Sequence, residues 1–361
     1  MSTLKVEVVR PNAILPHPNA DRLEIAQIKG WQCVVPKGEF TTKTLCVYFP
    51  IDSILPEKLE AKIFGSESKV KLSNHRVKTI KLRGAISQGL LLAADDLFDI
   101  VEDQLHEGID VTKRLGVTKY EPPVESTPQA KGQQTSRKQT NPNFRKYTDI
   151  ENYKNHPDLF QEGEPVWVLE KIHGTNFRAG WVESYANTWW KKVKKVLGLF
   201  PKYEFVYGSH NIQLQDRKTM GGLNVYLEAV EKYDLRKRLK PGEVVYGEIY
   251  GEGIQKGWMY DCKPGERKLI VFDIQLNGQY LTHNSVIGIC YALSLAVVPS
   301  VRIMYDKNLV EIYVNYDSDL YNGLREGVVI KPQHETSCYI GRKILKWKSD
   351  QFLLREVDDT H

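Results

Sequence analysis

Hydrophobic and polar positions divide the chain into three regimes. Residues 1 to about 115 carry short apolar runs broken by Pro and Gly: Lys5–Arg10, Leu23–Ile28, Gln32–Val35, Leu45–Phe49, Val77–Leu82 and Gly89–Ala93. Runs of this length predict strands, and many short strands with little helix predict a small β-barrel. From Glu121 to about Asn143 large apolar residues almost vanish in favour of Pro, Ser, Thr and Gln. That stretch has nothing to bury and reads as a mobile linker. Beyond it the pattern mixes strands with a few helices, an α+β domain. Thr148 followed by Glu151 fits a capping box and predicts a short helix there. The resulting division is 1–118, 119–143 and 144–361.

Within the last region, five strand-like runs carry charge where a core strand should not. Val166–Leu169 is β-branched and aromatic, yet it runs into Glu170, Lys171, Ile172, His173 and Gly174. A lysine at a strand end with a glycine three residues on can present an amine to a phosphate, because backbone approaches closely at glycine. A solvated lysine beside a turn is the plainer alternative. Val244–Gly251 holds Glu248 in mid-run; an unpaired buried carboxylate costs several kcal/mol or more, so it must face a cleft or find a partner. Leu269–Ile274 carries Phe272, which alone reads as core. Arg325–Pro332 places Glu326 before an apolar run, as a surface pair or as a metal ligand; carboxylate oxygens suit Mg²⁺. In Lys343–Lys348, alternation sets Lys346 and Lys348 on one face, where two cations repel unless an anion lies between them; a solvated edge strand is the alternative.

One segment stands apart. Asn187–Phe200 puts Trp189, Val193, Val196 and Phe200 at helical spacing with lysines between them. Packing over its own domain, contact with a nucleic-acid backbone, and a membrane surface are all open readings.

Composition narrows the class. Hydrophobic residues are 41% and charged residues 26% of 361, ordinary for a soluble protein of two or three domains. No apolar run reaches membrane-spanning length, and the charged, alternating start lacks the apolar core of a signal peptide. Five scattered cysteines without a Cys-x-x-Cys pair argue for a reducing compartment and against a disulfide framework or structural zinc. The cytoplasm, or the nucleus, is the expected location. A net charge of +5 permits nucleic-acid binding. Lys131, Arg137, Lys138, Arg145 and Lys146, with no acidic residue from Pro128 to Lys146, could track a phosphate backbone, although basic linkers also occur without a partner.

Taken in order, Lys171-Ile-His-Gly-Thr-Asn-Phe177, the Gly247-Glu248 strand, Phe272, Glu326-Gly327 and Lys346-Trp-Lys348 resemble the ATP-dependent RNA ligases of the covalent nucleotidyltransferase superfamily. His173 and Asn176 stand where DNA ligases and capping enzymes usually carry Asp and Arg. The segments Pro16–Leu23 and Leu82–Gly89 look like those of tRNA-binding OB domains. An OB-like barrel ahead of an α+β nucleotidyltransferase domain is similar to the Deinococcus-type RNA ligases. DNA ligases and capping enzymes place that domain after the last lysine motif, and too few residues follow Lys348 to supply it.

The resemblance implies ATP and Mg²⁺ (or Mn²⁺) as cofactors, and Lys171 as the nucleophile that takes AMP. It implies nucleotide contacts from Glu170, Ile172, His173, Gly174, Asn176, Glu248, Phe272, Glu326, Lys346 and Lys348, with Glu326 and Glu248 toward the metal. The amine must be neutral to attack, and nearby cations would favour that form. AMP would pass to an RNA 5′-phosphate, and a 3′-hydroxyl would displace it. The implied partner is RNA with such ends, in a nicked duplex or RNA/DNA hybrid, with no membrane partner and a monomer by default. At Ser209-His210 the family commonly has Ser-Arg gripping the 5′-phosphate; Arg178 or Arg217 is the candidate replacement. The competing readings are a DNA ligase, a capping-type nucleotidyltransferase and a non-catalytic RNA-binding protein.

Overall fold

The computed structural model of the chain describes residues 3–65, 72–98, 104–120, 141–186, 188–214 and 224–358. Most of the expected linker, and Arg217, lie outside these. The chain forms two units. The first takes Met1–Val124 together with Ile150–Phe160 and Trp347–His361; the second takes Glu125–Asp149 and Gln161–Lys346. The contiguous domain drawn from residue 144 is therefore interleaved. The reason lies in local packing: Tyr153 stacks on Trp347 at 4.3 Å, and the Gly30 N–H donates to Lys154 O at 2.9 Å.

The first unit is built from antiparallel strands. Glu7–Val9, Cys46–Phe49 and Leu90–Ala93 form one sheet, Ala13–Pro16, Leu23–Ile28 and Trp31–Pro36 another, and Thr79–Leu82 pairs with Ala85–Gln88. Cys46–Phe49 is buried along its whole length because it separates two cores. Val47 and Phe49 join Val6, Val8 and Leu55 on one face, while Cys46 and Tyr48 join Val9, Trp31 and Cys33 on the other, as the two-residue period of a strand requires. Ala13–Pro16, Ala85–Gln88 and the helix Glu57–Phe64 go beyond the sequence reading.

Two segments singled out in the sequence meet here. His17 Nε2 lies 3.1 Å from Leu82 O, and Asn19 Nδ2 donates to Arg83 O at 3.1 Å. Arg83 and Gly84 both have positive φ, the two-residue turn that matches strand twist. At Gly89, φ is +117°, and a Cβ would sit 2.5 Å from the Tyr48 ring, so only glycine fits.

The second unit holds two larger sheets, antiparallel except where Ala296–Val297 runs parallel to Arg267–Leu276. In one, Pro165–Lys171 lies between Ser300–Met304 and Gly327–Pro332, with Leu345–Lys348 beyond the latter. In the other, Thr175–Glu183 lies between Tyr203–Gly208 and Glu243–Gly251, which pairs in turn with Arg267–Leu276. Three residues, Ile172, His173 and Gly174, carry the chain from one sheet to the other. The second sheet packs on the helices Val225–Lys232 and His283–Ala292 through Phe177, Leu227, Val245, Val271 and Val286.

The expected capping box at Thr148 does not form. The Thr148 N–H donates to the Tyr280 hydroxyl at 3.0 Å, and Glu151 lies in a short strand. The only helical turn nearby among the described residues, the 3₁₀ turn Tyr153–Asn155, is capped by Asn152. No helix of the described residues is long and apolar enough to cross a membrane.

Candidate active site

The junction between the sheets decides where the charged residues go. Lys171 ends its strand opposite Gly327, which places Glu326 beside it. Lys171 Nζ donates to Glu326 Oε2 at 2.8 Å, with Glu326 only 1% exposed and Lys171 27%. His173 Nδ1 is 3.6 Å from the same oxygen. The His173 N–H donates to the Tyr260 hydroxyl at 2.7 Å, and Gln255 Nε2 donates to Gly174 O at 2.9 Å. These two bonds fix the path of the connecting residues.

Gly174 has no room for a side chain. A Cβ would lie 2.3 Å from Ile249 O and 2.7 Å from Glu248 Cγ. That close approach brings Glu248 to the same place, opposite Asn176 in the adjoining strand. Burial pushes the Glu248 carboxyl up to about 8; Glu326 pushes the same way, while Lys171 and the Gly174 N–H oppose it. Two carboxylates and one amine thus share a pocket in which the second negative charge is costly. Buried Asn176 Oδ1 has no hydrogen-bond partner within the protein, which leaves an acceptor for a bound group to satisfy.

Other expected contacts have different neighbours. Glu170 is buried and accepts from Ser318 Oγ and from the Asp319 N–H, with Arg325 Nη2 3.6 Å away. Burial raises its pKa against those favourable partners. It anchors the loop leading to Glu326. Ile172 is a buried apolar side chain.

Phe272 sits at a bulge. The register slips between Tyr246 and Gly247, so that Asp273 and Val271 are paired but Phe272 is not; such bulges re-aim a side chain. Its ring meets Tyr147 edge-on at 4.9 Å. Beneath it lies a network that sequence reasoning missed. Asp273 accepts from the Tyr147 hydroxyl at 2.9 Å and pairs with Arg342 at 2.7 Å and Lys331 at 3.4 Å. Burial alone would raise the Asp273 pKa, but Lys331 and Arg342 override it and hold the carboxyl below its usual range. Only the charged residues flanking apolar runs, Asp273 and Lys331, hinted at it.

Arg178 is 2% exposed. Its Nε donates to Ser209 O and its Nη1 to Phe144 O, so it ties two segments together instead of reaching out for a phosphate. The neighbouring corner is nonetheless cationic. His210, 3.5 Å from Asp149, is driven down to about 4 by burial and by Lys146, Arg178 and Lys346, so at neutral pH it is an uncharged imidazole. Tyr226 links this corner to the junction: its hydroxyl is 3.0 Å from Thr175 Oγ1, and its raised pKa reflects burial first, then Glu248. Alternation in Leu345–Lys348 is as expected, with Leu345 and Trp347 buried and the lysines partly exposed. Lys346 belongs to the His210 corner. Lys348 falls in the first unit, its Nζ 4.8 Å from the Phe352 ring centroid.

Among the described residues no three metal-ligating side chains cluster. Two carboxylates fit a hard cation that keeps water and phosphate oxygens as its other ligands; they do not make a closed structural site.

Comparison with known proteins now bears on this geometry. The profile of an OB-fold domain matches residues 5–94. No curated protein matches the chain. Among solved structures, a substituted apo form of Naegleria gruberi RNA ligase is 25% identical, with 99% of this chain and 100% of that one covered and a TM-score of 0.76. The same enzyme with pyrophosphate is 24% identical over 99% and 100% of the two chains, TM-score 0.75. A substituted form with ATP and manganese is 24% identical over 99% of each, TM-score 0.75. The RNA ligase profile matches residues 164–348, more than half of the sequence, and the chain belongs to the RNA ligase family.

Proposed function

We propose that this RNA ligase uses ATP to join a 3′-hydroxyl to a 5′-phosphate at a nick in duplex, in RNA repair. The observation that carries the reading is the Lys171–Glu326 pair at 2.8 Å beside Glu248. The Naegleria enzyme, solved with ATP and manganese and with AMP and manganese, supports the choice of nucleotide and of a divalent ion.

Lys171 Nζ donates a proton in a hydrogen bond to Glu326 Oε2. Attack on the α-phosphorus requires that proton to leave; a nitrogen–phosphorus bond then forms as the bond to the pyrophosphate oxygen breaks. AMP next passes from Lys171 to the RNA 5′-phosphate, and the 3′-hydroxyl attacks that phosphorus and releases AMP. Glu326 and Glu248 are the residues that would hold magnesium or manganese, which when bound neutralises charge on phosphate oxygens. Asn176 and the Gly174 backbone line the nucleotide, Phe272 offers a ring face to the base, and the His210–Lys146–Lys346 corner favours anions.

The first unit would grip the nucleic acid through exposed Arg22, Lys81 and Arg83. Truncation would strip Lys154 and Asn155 of their partners Gly30 and Trp31, so charge reversal is the cleaner probe. With α-labelled ATP, Lys171→Ala must abolish labelling; a variant that still accepts AMP removes the nucleophile assignment. Arg22→Glu with Arg83→Glu should impair sealing of nicked duplex and spare labelling; equal loss of both counts against this division.

A further inference from the structure

Most of the segment Trp189–Phe200 is exposed, with Val193 and Phe200 partly buried. The helix Trp189–Val196 starts with the Thr188 hydroxyl accepting from the Lys191 N–H. It stops at Gly198, where φ is +68° and the Leu199 N–H reaches back to Lys194 O at 2.8 Å, the left-handed glycine ending common to helices. At about 3.6 residues per turn, Trp189, Trp190, Val193, Val196 and Leu197 share one side. Lys191, Lys192 and Lys194 take the other.

Most of that apolar side faces outward, although Val193 is partly buried. Trp189 is 67% exposed, Trp190 69%, Val196 86%, Leu197 64% and Leu199 72%, and the two indoles touch chiefly each other, edge-on at 4.6 Å. From Asn187 to Lys202 the sequence has no acidic residue. A nucleic acid would meet the lysines but leave Val196, Leu197 and Leu199 in water. A protein groove would cover the apolar side but has no need of the cationic one. An anionic lipid surface answers both, taking the apolar side below its headgroups and the ammonium groups at their level.

We propose that Trp189–Phe200 is an interfacial anchor that places this ligase on anionic lipid membranes, one of the three readings the sequence leaves open. Sedimentation of the full chain with vesicles of phosphatidylcholine containing phosphatidylserine, against phosphatidylcholine alone, tests it. Binding is expected with the anionic vesicles, weakened by salt as screening predicts. The other five tryptophans are buried or partly buried, so a blue shift of fluorescence would report Trp189 and Trp190. Trp189→Ala with Trp190→Ala, and separately Lys191→Glu with Lys192→Glu, should each weaken binding by about tenfold or more while Lys171 labelling stays unchanged. Absence of binding to anionic vesicles overturns the proposal, as does binding that both variants retain. RNA affinity, or self-association, that these variants lose while vesicles go unbound would assign the segment to those partners and overturn it too.

Discussion

Glu248→Gln separates the electrostatics of the pocket from its shape, since the amide keeps the side-chain volume. The carboxyl ordinarily titrates near 4.5 and is raised to about 8 in the folded chain, chiefly by burial. A raised carboxyl means that the folded protein binds more protons than the unfolded one between those values. Stability from this group is therefore full below pH 4.5 and is lost as pH rises toward 8. At about 1.4 kcal/mol per pH unit the ceiling is roughly 5 kcal/mol. Solvent reaches the partly exposed side chain, which reduces the expected effect to about 2–3 kcal/mol. Glutamine does not titrate. Thermal midpoints of the two proteins should converge near pH 4.5, and the variant should lead by a widening margin up to pH 8 and a constant one above it. Parallel curves across that range would refute the claim that Glu248 is held against its charge. Labelling with ATP should fall in the variant at every pH.

Gly174→Ala forces a Cβ to within 2.3 Å of Ile249 O; the shift of backbone should cut the rate of lysine adenylylation by about 100-fold, read by labelling, with the fold retained by circular dichroism. Asp273→Asn removes one of the two carboxylates that Lys331 and Arg342 share, leaving Glu335; a loss of about 1.5–3 kcal/mol is expected in urea unfolding, and an unchanged midpoint would mean the network is not structural. Chelation with EDTA should stop adenylylation reversibly without lowering the thermal midpoint, because the described residues offer no closed metal site. A fall in midpoint would point to a structural ion.

The chain alone settled the elements that rest on local pattern. Leu23–Ile28 was legible as a strand to the residue, and so was the alternation in Leu345–Lys348, because a two-residue period is written directly into side-chain types. The order of the charged strands carried the family, and it singled out Lys171, Glu248 and Glu326, which the fold brings together. Pairing across the sheets decided the rest. Glu170 could not be told from a ligand until Ser318 and Asp319 were seen to claim its carboxylate. Arg178 could not be told from a phosphate clamp until its donors were found on Phe144 and Ser209. Nor could a wheel of Trp and Lys show whether its apolar side was covered. A sequence states which groups a residue carries, whereas burial and partnership depend on which distant strands lie beside it, and those are chosen only by the folded chain.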